Sequence, residues 1–200
     1  MATVLPIRRP STHHRAGPTP TDAVLVRAAQ QGHEWAQEEL FQRHAHAIDR
    51  LACLLTGASS EAEDLVQDVF VQALVSIRRL REPNAFPNWL RGIALRTAVR
   101  RLRRRRLLRR LGLAGEAPVD LDNMVSPTAS PEIVWELRRI YRQIQEFPVD
   151  VKVAFLLRKV EALTITEIAE QTGVSQGAVK RRLKKAELLL SEHQTLGGHP

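Results

Sequence analysis

The 200-residue chain has one cysteine, Cys53, so it can hold neither an intrachain disulfide nor a zinc cluster built on cysteines. Aromatic residues are scarce at 4 %. A core must therefore come from Leu, Val, Ile and Ala, and the 44 % hydrophobic content is enough to build one. No apolar run approaches the ~18 residues a membrane span needs. Residues 1–20 carry Arg8, Arg9 and Arg15 but no apolar stretch, so no secretory signal is visible and a cytoplasmic protein is expected. There is no alternating strand pattern and no internal repeat. His13, His14, His193 and His199 lie near the chain ends, and His44 and His46 fall on different faces of one helical segment. No H-E-x-x-H, P-loop or Cys–His set occurs, which leaves no catalytic residue, metal or cofactor to assign and argues against an enzyme. His33, His44 and His46 read as surface residues, and Cys53 reads as a small core hydrophobe.

What is present is charge, unevenly placed. Thirty basic and 22 acidic residues give +8 overall. Residues 1–20 contribute +3, residues 21–82 −4, residues 83–115 +10, residues 116–131 −3, residues 132–173 −1 and residues 174–200 +3. The molecule is thus an acidic segment, a very basic one, an acidic connector and a second, weaker basic element. Basic segments of this kind point to a polyanionic partner.

Periodicity predicts an all-α fold of two small helical domains joined by a flexible linker. Residues 1–20 read as a disordered tail rich in Pro, Ser, Thr and His. Residues 21–110 form the first domain, with helices from Asp22 to about Gln31, from Glu34 to Thr56, from a capping box at Ser60-x-x-Glu63, and from Trp89 to about Arg110. Residues 81–88 read as a loop. Residues 111–131 hold two Gly and three Pro and read as the linker, reaching at most ~70 Å. Residues 132–193 form the second domain, and residues 194–200 a C-terminal tail. Ser130-Pro131 is a good N-cap and first-turn pair, and Pro148 opens a further helix to about Val160.

The second domain ends in a helix-turn-helix. Thr164-x-x-Glu167 is a capping box, Gly173 suits the left-handed reversal, and Ser175 caps a helix running to about Ser191. That helix carries Lys180, Arg181, Arg182, Lys184 and Lys185. Gln176 is placed for a base edge, and Lys180 or Arg181 for guanine or phosphate. Val179 and Leu183 should face inward. A solvated basic face on an ordinary helical hairpin is the competing reading.

Arg91, Arg96, Arg100, Arg101, Arg103, Arg104, Arg105, Arg106, Arg109 and Arg110 share one helix, with no acid from Pro83 to Gly115. Beyond Arg100 they point all round, so this part needs a polyanion, solvent or acidic partners. If six to eight of them met phosphates, affinity would fall roughly as the sixth to seventh power of salt. A membrane-surface helix, with leucines interleaved, and a merely solvated charge run are the competing readings. Just upstream, Asn84, Phe86, Asn88 and Trp89 offer amides for base edges and rings for stacking, against a plain core role for the two aromatics.

Glu63-Asp64-Leu65-Val66-Gln67-Asp68-Val69-Phe70, followed by Phe86-Pro87-Asn88-Trp89-Leu90-Arg91-Gly92-Ile93-Ala94, resembles domain 2 of bacterial sigma-70-family factors of the extracytoplasmic function (ECF) group. Phe147-Pro148, Thr166-Glu167-Ile168-Ala169 and Val174-Ser175-Gln176-Gly177-Ala178-Val179-Lys180 resemble their domain 4. The resemblance implies binding to core RNA polymerase, at the clamp coiled coil of the large subunit and at the flap, and promoter recognition without catalysis. It assigns Glu63, Asp64, Leu65, Gln67, Asp68 and Phe70 to polymerase, with Leu65 and Phe70 serving the core as well. It assigns Asn84, Phe86, Asn88, Trp89, Arg91, Arg96, Arg100, Arg101, Arg103 and Arg104 to recognition and melting of the −10 element. Ser175, Gln176, Ala178, Lys180, Arg181, Arg182, Lys184 and Lys185 would read the −35 element. It also implies an anti-sigma protein that can hold the factor at the membrane. Arg96 and Arg100 stand where many members have Asn and a small polar or acidic residue, and Ala178 where Thr is usual. Lys152 replaces a usual Arg, and Lys184-Lys185-Ala186-Glu187 a more basic ending. The alternative is a stand-alone helix-turn-helix regulator that binds an operator by itself.

Overall fold

The computed structural model describes residues 19–113 and 130–196, and every regular element among them is helical. The order is α1 (Asp22–Gln30), α2 (Glu34–Thr56), α3 (Ser59–Ser76), two single 3₁₀ turns (Ile77–Arg79 and Pro83–Ala85), α4 (Phe86–Arg110), α5 (Pro131–Gln145), α6 (Val149–Lys159), α7 (Ile165–Thr172) and α8 (Gln176–Leu196). Residues 1–18 of the expected disordered tail and most of the expected linker lie outside the described residues, and α8 runs on past Ser191 to Leu196, into the stretch expected as a C-terminal tail.

Helix ends follow local chemistry, with two corrections. Gly57 ends α2 at φ +81°, a left-handed conformation that a Cβ penalises. Ser60 does not cap α3. The N-cap is Ala58, without a side-chain bond, and Ser60 already lies inside the helix. The loop expected over residues 81–88 is shorter than that, because α4 starts at Phe86. Pro87 sits in its first turn, where a missing N–H costs nothing. In the helix-turn-helix the capping box is complete. Glu167 N–H donates to Thr164 Oγ1 at 3.2 Å, and Thr164 N–H donates to Glu167 Oε2 at 2.7 Å. The Thr164 hydroxyl also donates to Glu167 Oε2 at 2.7 Å, and this bond, with that from Thr164 N–H, holds the Glu167 carboxyl below the usual carboxylate range.

α2 packs against α1, α3 and α4 around Leu25, Leu40, Leu51, Leu55, Leu65 and Leu90. Cys53 is buried with them. His44 is no plain surface residue: it is half-buried, its Nε2 lies 2.9 Å from Asp22 Oδ2, and its ring meets the edge of Phe86. The second group, α5–α8, packs around Leu156, Leu157, Ile168, Val179 and Ala186.

The two groups, expected as bodies on a tether, are in contact. α6 touches α2 and α4, and α7 touches α4. Tyr141 on α5 donates its hydroxyl to the Leu54 carbonyl on α2. A Cβ built on Gly57 would stand 2.9 Å from Tyr141 Cε1 and 3.0 Å from Gln145 Nε2, so glycine is needed there for space as well as for φ. Lys152, on α6, is only 3 % exposed. Its Nζ donates to Gln145 Oε1 at 2.8 Å. Burial, and after it the neighbouring Arg109 and Arg105, lowers its pKa from 10.5 to about 8.

Two outcomes follow from this seam. Gly57→Ala loses at least about 1 kcal/mol of stability through φ alone, read as a lowered urea midpoint; an unchanged midpoint contradicts the account. For Lys152 the packed state releases its proton at lower pH than the unfolded chain. The cost of charging is therefore complete below about pH 8 and is relieved as pH rises toward 10.5. Lys152→Met should add up to about 3 kcal/mol at neutral pH. The gap between variant and wild type should shrink between about pH 8 and 10, as measured by denaturation across that range.

Candidate nucleic-acid and polymerase interfaces

Ten arginines on one stretch of chain need counter-charge, and α4 finds some of it inside the fold. Arg101 turns toward α3: its Nε donates to Asp68 Oδ2 at 3.0 Å, and its Nη2 to the Asp64 carbonyl at 3.2 Å. Arg105 pairs with Glu61. Thr97 Oγ1 lies 3.3 Å from Gln72 Oε1 and extends the same seam. Arg101, expected on DNA, is thus a staple between helices, and Asp68, expected on polymerase, is its partner. A groove of about 490 Å³ runs beside this staple, lined by Arg100, Arg101, Arg104 and Arg105 among others.

A second set of arginines faces α5–α8. Arg91 donates from Nη2 to Glu161 Oε2 at 2.6 Å and from Nε to Gln171 Oε1 at 2.9 Å. Arg103 Nη2 reaches both Asp150 oxygens, at 2.8 and 2.9 Å. Arg106 donates to the Phe147 carbonyl at 3.0 Å. Arg96, Arg100, Arg103 and Arg104 are exposed. The first three recur at i, i+4 and i+7, so they share one side of α4. Asn84 and Asn88 are also exposed near its start. Phe86 is not available for stacking here. It is 2 % exposed and packs on His44 and Trp89, because the early helix start turns it inward. Trp89 is half-buried against the same core.

On α3, Glu63, Asp64 and Gln67 are exposed, whereas Leu65 and Phe70 are buried. The same solvent face carries residues the sequence reading passed over. Val71 is 62 % exposed, Val75 is 82 % exposed, and Leu74 stands beside them. Phe41 of α2 is also exposed and packs edge-on against Phe70 at 4.7 Å. The signal for this stripe was present: Gln67, Val71 and Val75 recur at four-residue spacing on the acidic side.

In α8, Val179 is fully buried and Leu183 packs on the core, as expected. Ser175 is spent locally, its hydroxyl accepting from Ala178 N–H at 3.2 Å. Gln176 Nε2 donates to Thr166 Oγ1 at 3.2 Å. Ala178 is half-buried, while Lys180, Arg181, Lys184 and Lys185 are exposed. Arg182 is turned toward Asp150, at 3.8 Å. Among the described residues no helix is long and apolar enough to cross a membrane, and no group of three or more His, Cys, Asp or Glu could hold a metal.

Residues 40–107 match sigma-70 region 2, and residues 137–190 match sigma-70 region 4. Over 175 residues the chain is 31 % identical to the ECF RNA polymerase sigma-E factor of Escherichia coli, covering 83 % of this chain and 90 % of that protein. It is 29 % identical over 171 residues to the ECF sigma factor SigM of Mycobacterium tuberculosis, covering 86 % and 83 %. It is 29 % identical over 160 residues to the ECF sigma factor SigE of Mycolicibacterium smegmatis, where it covers 78 % of this chain and spans only 60 % of the relative. Among solved structures, the sigma factor RpoE of Bartonella quintana, in complex with the anti-sigma factor NepR, shares the fold at a TM-score of 0.60 and 20 % identity, covering 80 % of this chain and 97 % of that one. CnrH, in complex with the cytosolic domain of CnrY, shares it at 0.58 and 22 %, covering 88 % and 99 %. With both sigma-70 regions in order and this identity along nearly all of an ECF factor, the chain belongs to the ECF group of sigma-70-family RNA polymerase sigma factors, the proteins that direct transcription initiation.

Proposed function

We propose that this chain joins core RNA polymerase through α3 and reads a promoter through α4 and α8. The observation that carries the reading is the division of surfaces: an acidic and apolar face on α3, an arginine face on α4 and a basic capped helix-turn-helix, all on one chain. The acidic and apolar face suits a protein partner. Glu63, Asp64 and Gln67 supply the polar contacts and Val71, Leu74 and Val75 the desolvated area, while Leu65 and Phe70 hold the face in shape from beneath. Asp68 acts mainly through Arg101, by fixing α3 on α4.

Arg96, Arg100, Arg103 and Arg104 carry the −10 contacts, helped by Asn84 and Asn88. Their positive charge supplies sequence-independent phosphate affinity, and single-stranded bases held at the head of α4 offset the unstacking cost of melting. In α8, Gln176, Lys180 and Arg181 reach base edges, and Lys184 and Lys185 reach phosphate. The polymerase performs the chemistry, and the factor works in the cytoplasm without a cofactor. The complexes of RpoE with the anti-sigma factor NepR and of CnrH with the cytosolic domain of CnrY support an anti-sigma protein for this chain too.

Reconstituted transcription with core polymerase and genomic fragments tests the whole reading. Defined start sites are expected. Operator binding by the chain alone, with no polymerase-dependent transcript, would establish the regulator alternative instead. Asp64→Arg or Gln67→Ala should weaken core-polymerase binding, the former by roughly tenfold or more, with promoter contacts intact; unchanged affinity in a pull-down titration counts against α3 as the docking face. Lys180→Ala or Arg181→Ala should cost about 1–3 kcal/mol on −35-containing templates and leave core binding unchanged. Equal loss on templates lacking the −35 element would contradict base readout.

A further inference from the structure

The short helix α1 packs on α2, yet one of its side chains also reaches the link between α3 and α4. α3 stops at Ser76 and a single 3₁₀ turn, Ile77–Arg79, follows it, so carbonyl groups at this end lack helical partners. Gln30, the last residue of α1, supplies them. Its Nε2 donates to the Ile77 carbonyl at 3.0 Å and to the Leu80 carbonyl at 2.8 Å, across 47 and 50 residues of chain. Two carbonyl oxygens facing one side-chain amide fix its orientation, because only the NH2 end can donate to both. Ile77 and Leu80 are buried, so little water is at hand to replace the amide. The far end of the link is held through α1 as well. Phe86, the first residue of α4, packs on His44, and His44 meets Asp22 at the start of α1. α1 accordingly touches both 3₁₀ turns and α4. Between these anchors Arg78, Arg79, Arg81 and Asn84 are exposed on a fixed backbone.

We propose that Gln30 is a positioning residue for promoter opening: by holding both carbonyls of the turn after α3, it sets where Asn84 and the head of α4 stand when they seat single-stranded bases. The inference rests on the reading of α4 as the −10 contact. Gln30 itself touches no DNA. It acts through the backbone of residues 77–85, whose second 3₁₀ turn, closed by Ala85 N–H on the Glu82 carbonyl at 2.9 Å, leads directly into α4. Contacts to an unstacked base offset the cost of unstacking only when the reading groups are already in place, because ordering a loose segment on binding consumes the gain. The effect should be confined to opening. Glu63, Asp64 and Gln67 lie more than two turns upstream of the link on α3, so their face is formed without it. The basic helix α8 belongs to the other helical group and does not depend on Gln30.

The test uses holoenzyme assembled from the full-length chain and core polymerase, on a promoter whose start site that enzyme defines. Gln30→Leu keeps the bulk and loses both donors. Gln30→Glu sets acceptor oxygens against two carbonyls, and Gln30→Lys keeps a donor group. Gln31→Leu is the control, removing an exposed amide from the next position. Opening is read from 2-aminopurine fluorescence in the −10 element. Gln30→Leu should open the promoter roughly tenfold more slowly. Gln30→Glu should be slower still, and Gln30→Lys should recover most of the loss. In the first two, discrimination between the native −10 element and a single-base substitution should shrink, while core-polymerase affinity and binding to a −35 duplex stay at wild-type values. Opening by Gln30→Leu at the wild-type rate, or an equal defect in Gln31→Leu, overturns the positioning role and leaves the reading of α4 intact. A defect that falls in step with core affinity does the same, since Gln30 would then serve only the stability of the domain. A wild type whose opening is indifferent to the −10 sequence sinks the reading of α4, and this inference with it.

Discussion

Everything in this fold depends on where ten like charges on one stretch of helix are allowed to point. Unit charges of one sign a few ångströms apart repel by roughly 1 kcal/mol even in bulk water, and by more near a protein surface. α4 divides its arginines among three surroundings. Arg101 and Arg105 go to the acids of α3, Arg91 and Arg103 to the acids of the second helical group, and Arg96, Arg100 and Arg104 to water. The first set builds the domain, the second closes it, and the third is left to attract a polyanion. One side chain type therefore plays three parts, separated by its angle around a single helix axis.

The same division shapes α3. One side is core, through Leu65, Val69 and Phe70. A second is stapled to α4 through Asp68 and Glu61. Only the third, with Asp64, Gln67, Val71 and Val75, is free to meet another protein. The acidity that keeps α4 in place and the acidity exposed to solvent on α3 are thus neighbouring carboxylates in different surroundings. A basic ligand for α3 and a polyanion for α4 can be bound together because these faces do not coincide.

The sequence made legible what local chemistry decides. Gly57, Gly173 and the Thr164–Glu167 box set their helix ends directly, and the arginine run announced itself by the absence of acids. Ser60 misled because an S-x-x-E pattern inside a helix looks the same as one at its start, and Ala58 took the cap without help from a side chain. Phe86 misled because Pro-rich segments read as loops, whereas Pro87 fits a first helical turn and carries Phe86 into the core. The pairs Arg91–Glu161 and Arg103–Asp150 were beyond reach, since residues far apart in the chain meet only through packing. For the same reason the split of α4's arginines into staples and exposed contacts could not be read from their spacing alone.

The contact at Gly57 has a consequence for how such chains drift apart. The glycine ends a helix in one helical group, while the ring and amide that fill its missing side chain, Tyr141 and Gln145, come from the other. A lineage that acquires a side chain at position 57 must shrink position 141, or lose the seat that brings the two groups together. These two sites should therefore change as a couple across relatives that close in this way and independently in those that do not. That pattern would make the closed state visible in an alignment of sequences.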